Sequence, residues 1–251
     1  MIKRGVIIAV LVFKILDSGS TLMAQTKNIS YGDQWWLRYY NSLEFSEKWT
    51  LLTEVDNRRF FTPDRQQLFL IRTQLQYNFM KKISVSAGIA YFLQNQHSEE
   101  FGSLTVPEIR PHQELNIKNT IGKFNISHRY KIEERFIRNT ENEKLADSYR
   151  FNLRFRYQIG VDFSILEKLK LRIYDEILLN IGRNIQYNVF DQNRIYAGLK
   201  YNIIKSLSIE AGYMHWFQQR SSGKDFNSWD IVRVTIYHTI SLSKKSRNVA
   251  S

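Results

Sequence analysis

The segment 149–161 alternates strictly between apolar and polar side chains. Its apolar members are Tyr149, Phe151, Leu153, Phe155, Tyr157, Ile159 and Val161, and its polar members are Arg150, Asn152, Arg154, Arg156, Gln158 and Gly160. A period of two with one apolar and one polar face is typical of a long β-strand between two different environments. The segments 83–94 and 207–218 repeat the pattern. A chain made mostly of such strands is expected to close into a barrel.

Alternation and turn signals together predict eleven strands along the chain. They are 34–43, 48–59, 66–79, 83–94, 109–119, 124–138, 148–163, 169–181, 193–203, 207–218 and 229–242. Most are longer than the roughly 9–11 residues that a tilted strand needs to cross a bilayer, whereas soluble strands usually have about five or six. Strand length therefore favours a transmembrane barrel.

The connections between these strands alternate between two kinds. Short ones that carry a lysine lie at 46–48, 81–82, 122–123, 167–168 and 205–206, and longer polar ones lie at 60–65, 95–108, 139–147, 182–192 and 219–228. Short turns on one rim and longer loops on the other are typical of outer-membrane barrels, whose short turns face the periplasm. The prediction is an all-β, antiparallel up-and-down transmembrane barrel with short periplasmic turns and longer extracellular loops.

The number of strands is expected to be even, as it usually is in single-chain bacterial barrels. We expect about ten to twelve strands and favour twelve. Residues 25–33 would then add a short strand near Ile29 and Tyr31, or else thread up the lumen.

The N-terminus has the features of a secretory signal. Two cations, Lys3 and Arg4, precede an apolar run and then small residues up to Ala24. We expect a signal peptide over 1–24 and one barrel domain over 25–251, because no Pro- or Gly-rich linker interrupts the remainder.

The amino-acid composition excludes several kinds of functional site. The chain has no cysteine, which excludes disulfides, thiolate catalysis and a Cys-ligated metal. Its net charge of +12 is spread over alternate strand positions and turns rather than one basic run. This placement fits a barrel lumen or a layer of anionic lipid headgroups better than nucleic acid.

Alternation alone does not decide which face of the strands lies inside the barrel. In a soluble lipid-carrying barrel the apolar face would fill the interior. Strand length, the export signal and aromatic side chains at strand ends favour the reverse, with the apolar face toward lipid and the polar face in the lumen. These aromatic residues are Trp35, Trp36, Trp49, Tyr77, Tyr91 and Trp229.

The polar faces of neighbouring strands concentrate charge. The cluster consists of Arg129, Lys131, Glu133, Arg135, Arg150, Arg154 and Arg156, with Arg110, His112 and Glu114 on the preceding strand. Antiparallel neighbours bring same-face side chains to about 5 Å, so the cations would repel unless carboxylates or an anion lay between them. We interpret the cluster as a structural lattice of ion pairs, with contact to an anion or phosphate as the alternative. His112 would belong to this polar network, because no second histidine has a ligand spacing from it.

Three segments of the chain resemble a known family. They are 107–114, 128–136 and 150–157, and the Arg-Tyr-x-x-Glu-x-Arg-Phe stretch at 129–136 is the most specific of them. The chain is similar to an outer-membrane barrel family catalogued as domain of unknown function 2490, over nearly all of its length after residue 24. The resemblance implies a barrel of unassigned activity found in Gram-negative bacteria, and it supplies no catalytic residues.

These observations leave three hypotheses for function. The favoured one is a structural or transport-associated barrel in the outer membrane, including a narrow pore whose Arg- and Glu-lined lumen favours anions. The alternatives are an outer-membrane hydrolase of lipid or lipopolysaccharide, with outward-facing His128 as its candidate residue, and a soluble lipid-carrying barrel. No catalytic residue, cofactor or metal is assigned, because no known signature is present. The expected partners are outer-membrane lipid, lipopolysaccharide and the barrel assembly machinery, and not nucleic acid.

Overall fold

A computed structural model describes residues 27–98, 102–183 and 185–242. The expected signal peptide over 1–24 lies outside these residues and stays a prediction. No helix among the described residues could cross a membrane.

Eleven strands follow one another around a closed barrel. They are β1 (Asn28–Glu44), β2 (Trp49–Phe60), β3 (Arg65–Met80), β4 (Ile83–Ser98), β5 (Gly102–Ile121), β6 (Phe124–Glu141), β7 (Lys144–Ser164), β8 (Leu169–Ile181), β9 (Phe190–Ile204), β10 (Leu207–Gln219) and β11 (Asp225–Ser241). Each predicted strand corresponds to one of these, so the predicted all-β barrel is confirmed. The count of eleven is close to the favoured twelve.

The barrel closes between β1 and β11, which run parallel from Asn28↔Asp225 to Glu44↔Ser241. All other neighbours are antiparallel. The residues around Ile29 and Tyr31 were expected to form a separate strand. They instead form the N-terminal part of β1 and pair with β11. A parallel ladder satisfies the backbone groups of both strands, so an odd number of strands leaves no open edge.

The connections at the two rims differ less in length than predicted, because several of the expected long loops are short. The expected loop 95–108 is mostly strand, because β4 continues to Ser98 and β5 begins at Gly102. Likewise β6 and β7 meet at a tight turn whose Asn142 and Glu143 have φ of 46° and 62°. Beyond the apolar band both faces of a strand become polar, which removes the alternation that marks a strand in the sequence. We call this end the long-loop rim and the other the short-turn rim.

The outer surface of the barrel wall is apolar and its lumen is polar. Ile71, Ile89 and Ile195 are about half exposed, whereas Glu133 and Glu210 are fully buried inside the barrel. The predicted orientation of the two faces is therefore confirmed. Most buried side chains of the described lumen are polar or charged, whereas the soluble lipid-carrier hypothesis requires an interior lined mainly by apolar side chains.

Two of the tryptophans expected at the membrane interface lie elsewhere. Trp49 is exposed and packs on Tyr77 with ring centroids 4.7 Å apart, as an interfacial pair would. Trp36 and Trp229 instead pack inside the lumen, Trp36 with only 3 % of its surface exposed. The prediction for these two residues was wrong, because both stand at polar-face positions of their strands.

Candidate functional site

Glu133 lies at the centre of the charge cluster. Its carboxylate accepts hydrogen bonds from Arg154, at 2.7 and 2.5 Å, and from Arg156 at 2.8 Å. Arg110 comes within 3.7 Å from the neighbouring strand. The hairpin of β6 and β7 sets this arrangement by placing Glu133 directly opposite Arg154 on the lumen face.

The pairing continues on both sides of Glu133. Glu108 accepts from Arg110 at 2.5 Å and from Arg135 at 2.7 Å. On the other side, Glu176 accepts from Arg156 at 2.7 Å and from Arg129 at 2.6 Å. Arg154 also pairs with Asp191 at 3.0 Å, and Arg194 lies 3.7 Å from Glu176. The whole set, which we call the ion-pair belt, comprises Glu108, Arg110, Arg129, Glu133, Arg135, Arg154, Arg156, Glu176, Asp191 and Arg194.

The belt excludes water from its carboxylates. Glu108, Glu133, Glu176 and Asp191 each have at most 3 % of their surface exposed. Arg–carboxylate pairs with several hydrogen bonds in such a setting hold a fixed geometry, and losing one partner leaves an uncompensated buried charge. The ion pairs of the belt therefore link the strands rigidly across the lumen.

The structure brings most of the predicted cluster together. Lys131 pairs with Glu114 at 3.0 Å beside the belt. His112 is buried and shares a hydrogen bond of 2.7 Å between its Nε2 and Gln74 Oε1, which fits a polar network rather than a base. Arg150 faces the lumen near Arg135, but it has no ion pair within the described residues, so it is not part of the belt.

Three belt carboxylates were not in the predicted cluster. Glu108 and Asp191 were assigned to loops, because the strands β5 and β9 begin earlier than their alternation shows. Glu176 is outside the predicted cluster, but its place on a neighbouring strand makes it a candidate from the sequence for a further carboxylate between the cations. The structure places it on β8 directly opposite Gln158 of β7, where it pairs with Arg156.

An aromatic cluster lies in the lumen beside the belt. It consists of Trp36, Tyr174, Tyr196, Met214, Trp216 and Ile231, with Trp229 packed against it. Arg58 stacks over Trp36 at 3.7 Å, and Arg194 lies 5.1 Å from the ring centroid of Trp216. Cation–π contacts of this kind join the aromatic cluster to the charged lumen.

Two glycines make room for the aromatic cluster. Gly198 and Gly212 are direct partners on β9 and β10. A Cβ at Gly198 would lie 2.2 Å from Tyr196 Oη, and one at Gly212 would lie 2.5 Å from the same atom. The Tyr196 hydroxyl can therefore reach Glu210, to which it donates at 2.9 Å, only because both positions lack a side chain.

Gly212→Ala is expected to lower the free energy of unfolding by about 1–3 kcal/mol, because the added methyl displaces Tyr196 from Glu210. Urea unfolding in lipid vesicles measures the change. The matched control is Ala211→Gly, on the outward face of the same strand. An effect of Gly212→Ala no larger than that of the control would contradict the packing described.

A cavity of about 850 Å³ occupies the lumen on the short-turn side of the belt. It extends from Lys82 and Lys118 near the short turns to Trp36, Arg110 and Arg194. On the long-loop side of these residues the lumen is filled by buried side chains such as Leu68 and Val106. We call this cavity, which lies between the belt and the short-turn rim, the cup.

Cations outnumber acids in the walls of this cup. Fifteen lysine or arginine side chains line it, against five aspartates or glutamates. Four further acids, Glu108, Glu133, Asp191 and Glu210, pair with lining arginines, so fifteen cations face nine acids. Fixed cations in a narrow cleft with low-dielectric walls attract anions and raise their local concentration.

The comparisons with known proteins agree with this geometry. The family model described as protein of unknown function (DUF2490) matches residues 33–227. The chain belongs to this family. No curated protein matches the DUF2490 chain.

Solved structures similar to the DUF2490 chain are membrane barrels. The NanC porin in a rhombohedral crystal form is 12 % identical, with a TM-score of 0.52 over 82 % of this chain and 98 % of the porin. The β domain of the Bordetella autotransporter Brka is 9 % identical, with a TM-score of 0.40 over 76 % of this chain and 81 % of that domain. A loop-deletion mutant of OmpT from Vibrio cholerae is 13 % identical, with a TM-score of 0.37 over 67 % of this chain and 56 % of that protein. The likeness to the porin shows that the DUF2490 chain has the fold of an outer-membrane barrel.

Two outward histidines of the DUF2490 barrel, His128 and His215, each contact a neighbouring polar side chain. His128 Nδ1 lies 2.9 Å from the Tyr157 hydroxyl, and His215 Nδ1 lies 3.1 Å from Asp230 Oδ1. No serine hydroxyl bonds to either ring within the described residues. The described part of the chain also contains no group of residues that could hold a metal ion.

Proposed function

We propose that this protein is a transport-associated barrel of the outer membrane whose lumen admits anions from the periplasm. The observation that carries the proposal is the excess of cations around the 850 Å³ cup, whose fifteen cationic side chains face only nine acids even when the four acids behind its wall are counted. Short turns face the periplasm in barrels of this type, so the open rim of the cup would lie on that side. The outward apolar band would contact membrane lipid and lipopolysaccharide after insertion by the barrel assembly machinery.

The ion-pair belt and the aromatic cluster close the far end of the cup. An anion that passes through must displace side chains such as Trp36 and Phe92, on which Arg58 and Arg110 stack at 3.7 and 3.6 Å. In the closed arrangement the protein binds anions at its periplasmic side, and passage requires these stacks to separate. The proposed activity is a narrow, anion-favouring path that is closed at rest.

Planar-bilayer recording tests this proposal. We expect little or no conductance from the unmodified protein and a clear one from Trp36→Ala combined with Phe92→Ala, because both stacked pairs are then lost. In a gradient of potassium chloride, the reversal potential of the open variant should show preference for chloride.

The matched control is Trp49→Ala, which removes an outward tryptophan and should leave the conductance unchanged. A cation-selective current through the open variant would refute the anion preference. A large conductance from the unmodified protein would refute the closure.

A further inference from the structure

Four cations gather around Tyr237, one of the residues that line the cup. Lys200 Nζ lies 4.1 Å from the ring centroid of Tyr237, and Arg38 and Arg172 each lie 5.9 Å from it. Lys170 lines the same part of the cavity, on the strand next to that of Lys200. The group lies outside the ion-pair belt, closer to the short-turn rim.

The nearby carboxylates are already occupied. Glu210 is fully buried and accepts from Arg172 and Arg233, both at 2.9 Å. Asp162 holds Arg172 through two hydrogen bonds of 2.8 and 2.9 Å. These acids compensate Arg172 and Arg233, but they leave the other cations of the group without a carboxylate within hydrogen-bonding distance. Arg38 donates instead to the hydroxyls of Thr235 and Tyr237, at 3.2 and 3.1 Å.

Three cations are therefore under-compensated. Arg38 Nη1 is 4.0 Å from the nearest carboxylate oxygen, that of Glu54. Lys170 and Lys200 have no ion pair within the described residues, although they are direct cross-strand partners on the lumen face. Like charges directly opposite each other on a sheet destabilise it unless a counter-charge lies between them. Arg38 and Lys170 line the accessible cavity, and Lys200 lies against Tyr237, which also lines it, so the space between these cations is left to a bound anion.

We infer that Arg38, Lys170 and Lys200 form a binding subsite for a phosphate group, carried by a small water-soluble solute or as free phosphate. Three cations favour an anion with two negative charges over a monovalent one, because each adds attraction in a partly desolvated site. The guanidinium of Arg38 and the two ammonium groups offer the donors that phosphate oxygens accept. The inference rests on the proposed function, because the ligand enters the same cup.

Calorimetric titration of the full chain, refolded in detergent, tests the subsite. Inorganic phosphate at pH 7.5 should bind the unmodified protein saturably, and Lys170→Gln and Lys200→Gln should each weaken binding by about tenfold or more. The matched control is Lys168→Gln in the exposed turn beside β8, which should leave the affinity within about twofold. Heat-modifiable migration on gels confirms that each variant is folded.

Two further ligands define the chemical class. Titration with glycerol phosphate in place of free phosphate shows which of the two is the ligand. Tighter binding of glycerol phosphate identifies a phosphorylated solute as the ligand. Weaker binding identifies free phosphate. Succinate bound as tightly as both would overturn the phosphate assignment. Equal affinity of phosphate for the Lys170, Lys200 and Lys168 variants, or no saturable binding, would overturn the subsite.

The calorimetric result is separable from the bilayer result. Loss of phosphate binding with anion selectivity retained would reject the subsite and leave the proposed function standing. Cation selectivity would reject the proposed function whether or not phosphate binds.

Discussion

Glu133→Gln should lower the free energy of unfolding by about 3–5 kcal/mol, because it leaves buried cations without their carboxylate. Arg154 and Arg156 donate to Glu133 directly, and Arg110 lies 3.7 Å away. Arg154→Gln removes one cation from the same carboxylate, which keeps Arg156 as a direct donor. The loss for Glu133→Gln is expected to exceed that for Arg154→Gln by about 1–3 kcal/mol.

Urea unfolding in lipid vesicles measures both variants, and the next residue supplies the control. Glu134 points to the opposite face of β6, where it accepts a hydrogen bond from Gln113 at 3.3 Å. Glu134→Gln should therefore change stability by only about 0–1 kcal/mol. Small and equal effects for Glu133 and Arg154 would mean that water fills the belt. A larger loss of stability for Arg154→Gln would mean that losing the ion pair of Arg154 with Asp191 costs more free energy of unfolding than losing the carboxylate of Glu133.

The sequence predicted the barrel wall well because alternation reflects a physical boundary. In β7, Phe151, Phe155 and Ile159 face lipid while Arg154 and Arg156 face the lumen, and the contrast is visible without a structure. Where a strand leaves the apolar band the contrast disappears. For this reason the start of β5 was assigned to a loop, and Glu108 was lost from the predicted site.

The contents of the lumen were harder to predict. The sequence pattern predicts that Trp36 lies at the membrane interface, although Trp36 occupies an inward position of β1. Met214 and Trp216 already stood among the polar alternates of their segment, which was a usable sign that part of the lumen is apolar. Which cation pairs with which acid depends on the strand register and on long side chains crossing the lumen. Arg154, for example, pairs with Asp191 two strands away, and no sequence pattern near either residue predicts this ion pair.

Charged reagents should discriminate sharply between positions along the lumen, and the absence of native cysteine makes this measurable. Ser127 lines the cup, whereas Val106 is buried on the far side of the belt. We expect Ser127→Cys to react with a negatively charged thiol reagent faster than with a positively charged one by about 10- to 100-fold, because the cup concentrates anions. Raising the salt concentration should reduce this ratio.

Val106→Cys should remain unmodified by either reagent, since only 2 % of the Val106 surface is exposed. Ser46→Cys in an exposed short turn supplies the intrinsic reactivity ratio of the two reagents. The measurement therefore reports closure and charge preference in the same protein, without any need for an ionic current.

For each cysteine variant, the rate of modification by the anionic reagent is divided by the rate with the cationic reagent. The ratio for Ser127→Cys divided by the ratio for Ser46→Cys tests the central claim most directly. A normalised ratio of about ten or more, with Val106→Cys unmodified, is the result expected of a closed, anion-attracting cup. A ratio at or below one, or modification of Val106→Cys as fast as that of Ser127→Cys, would contradict it.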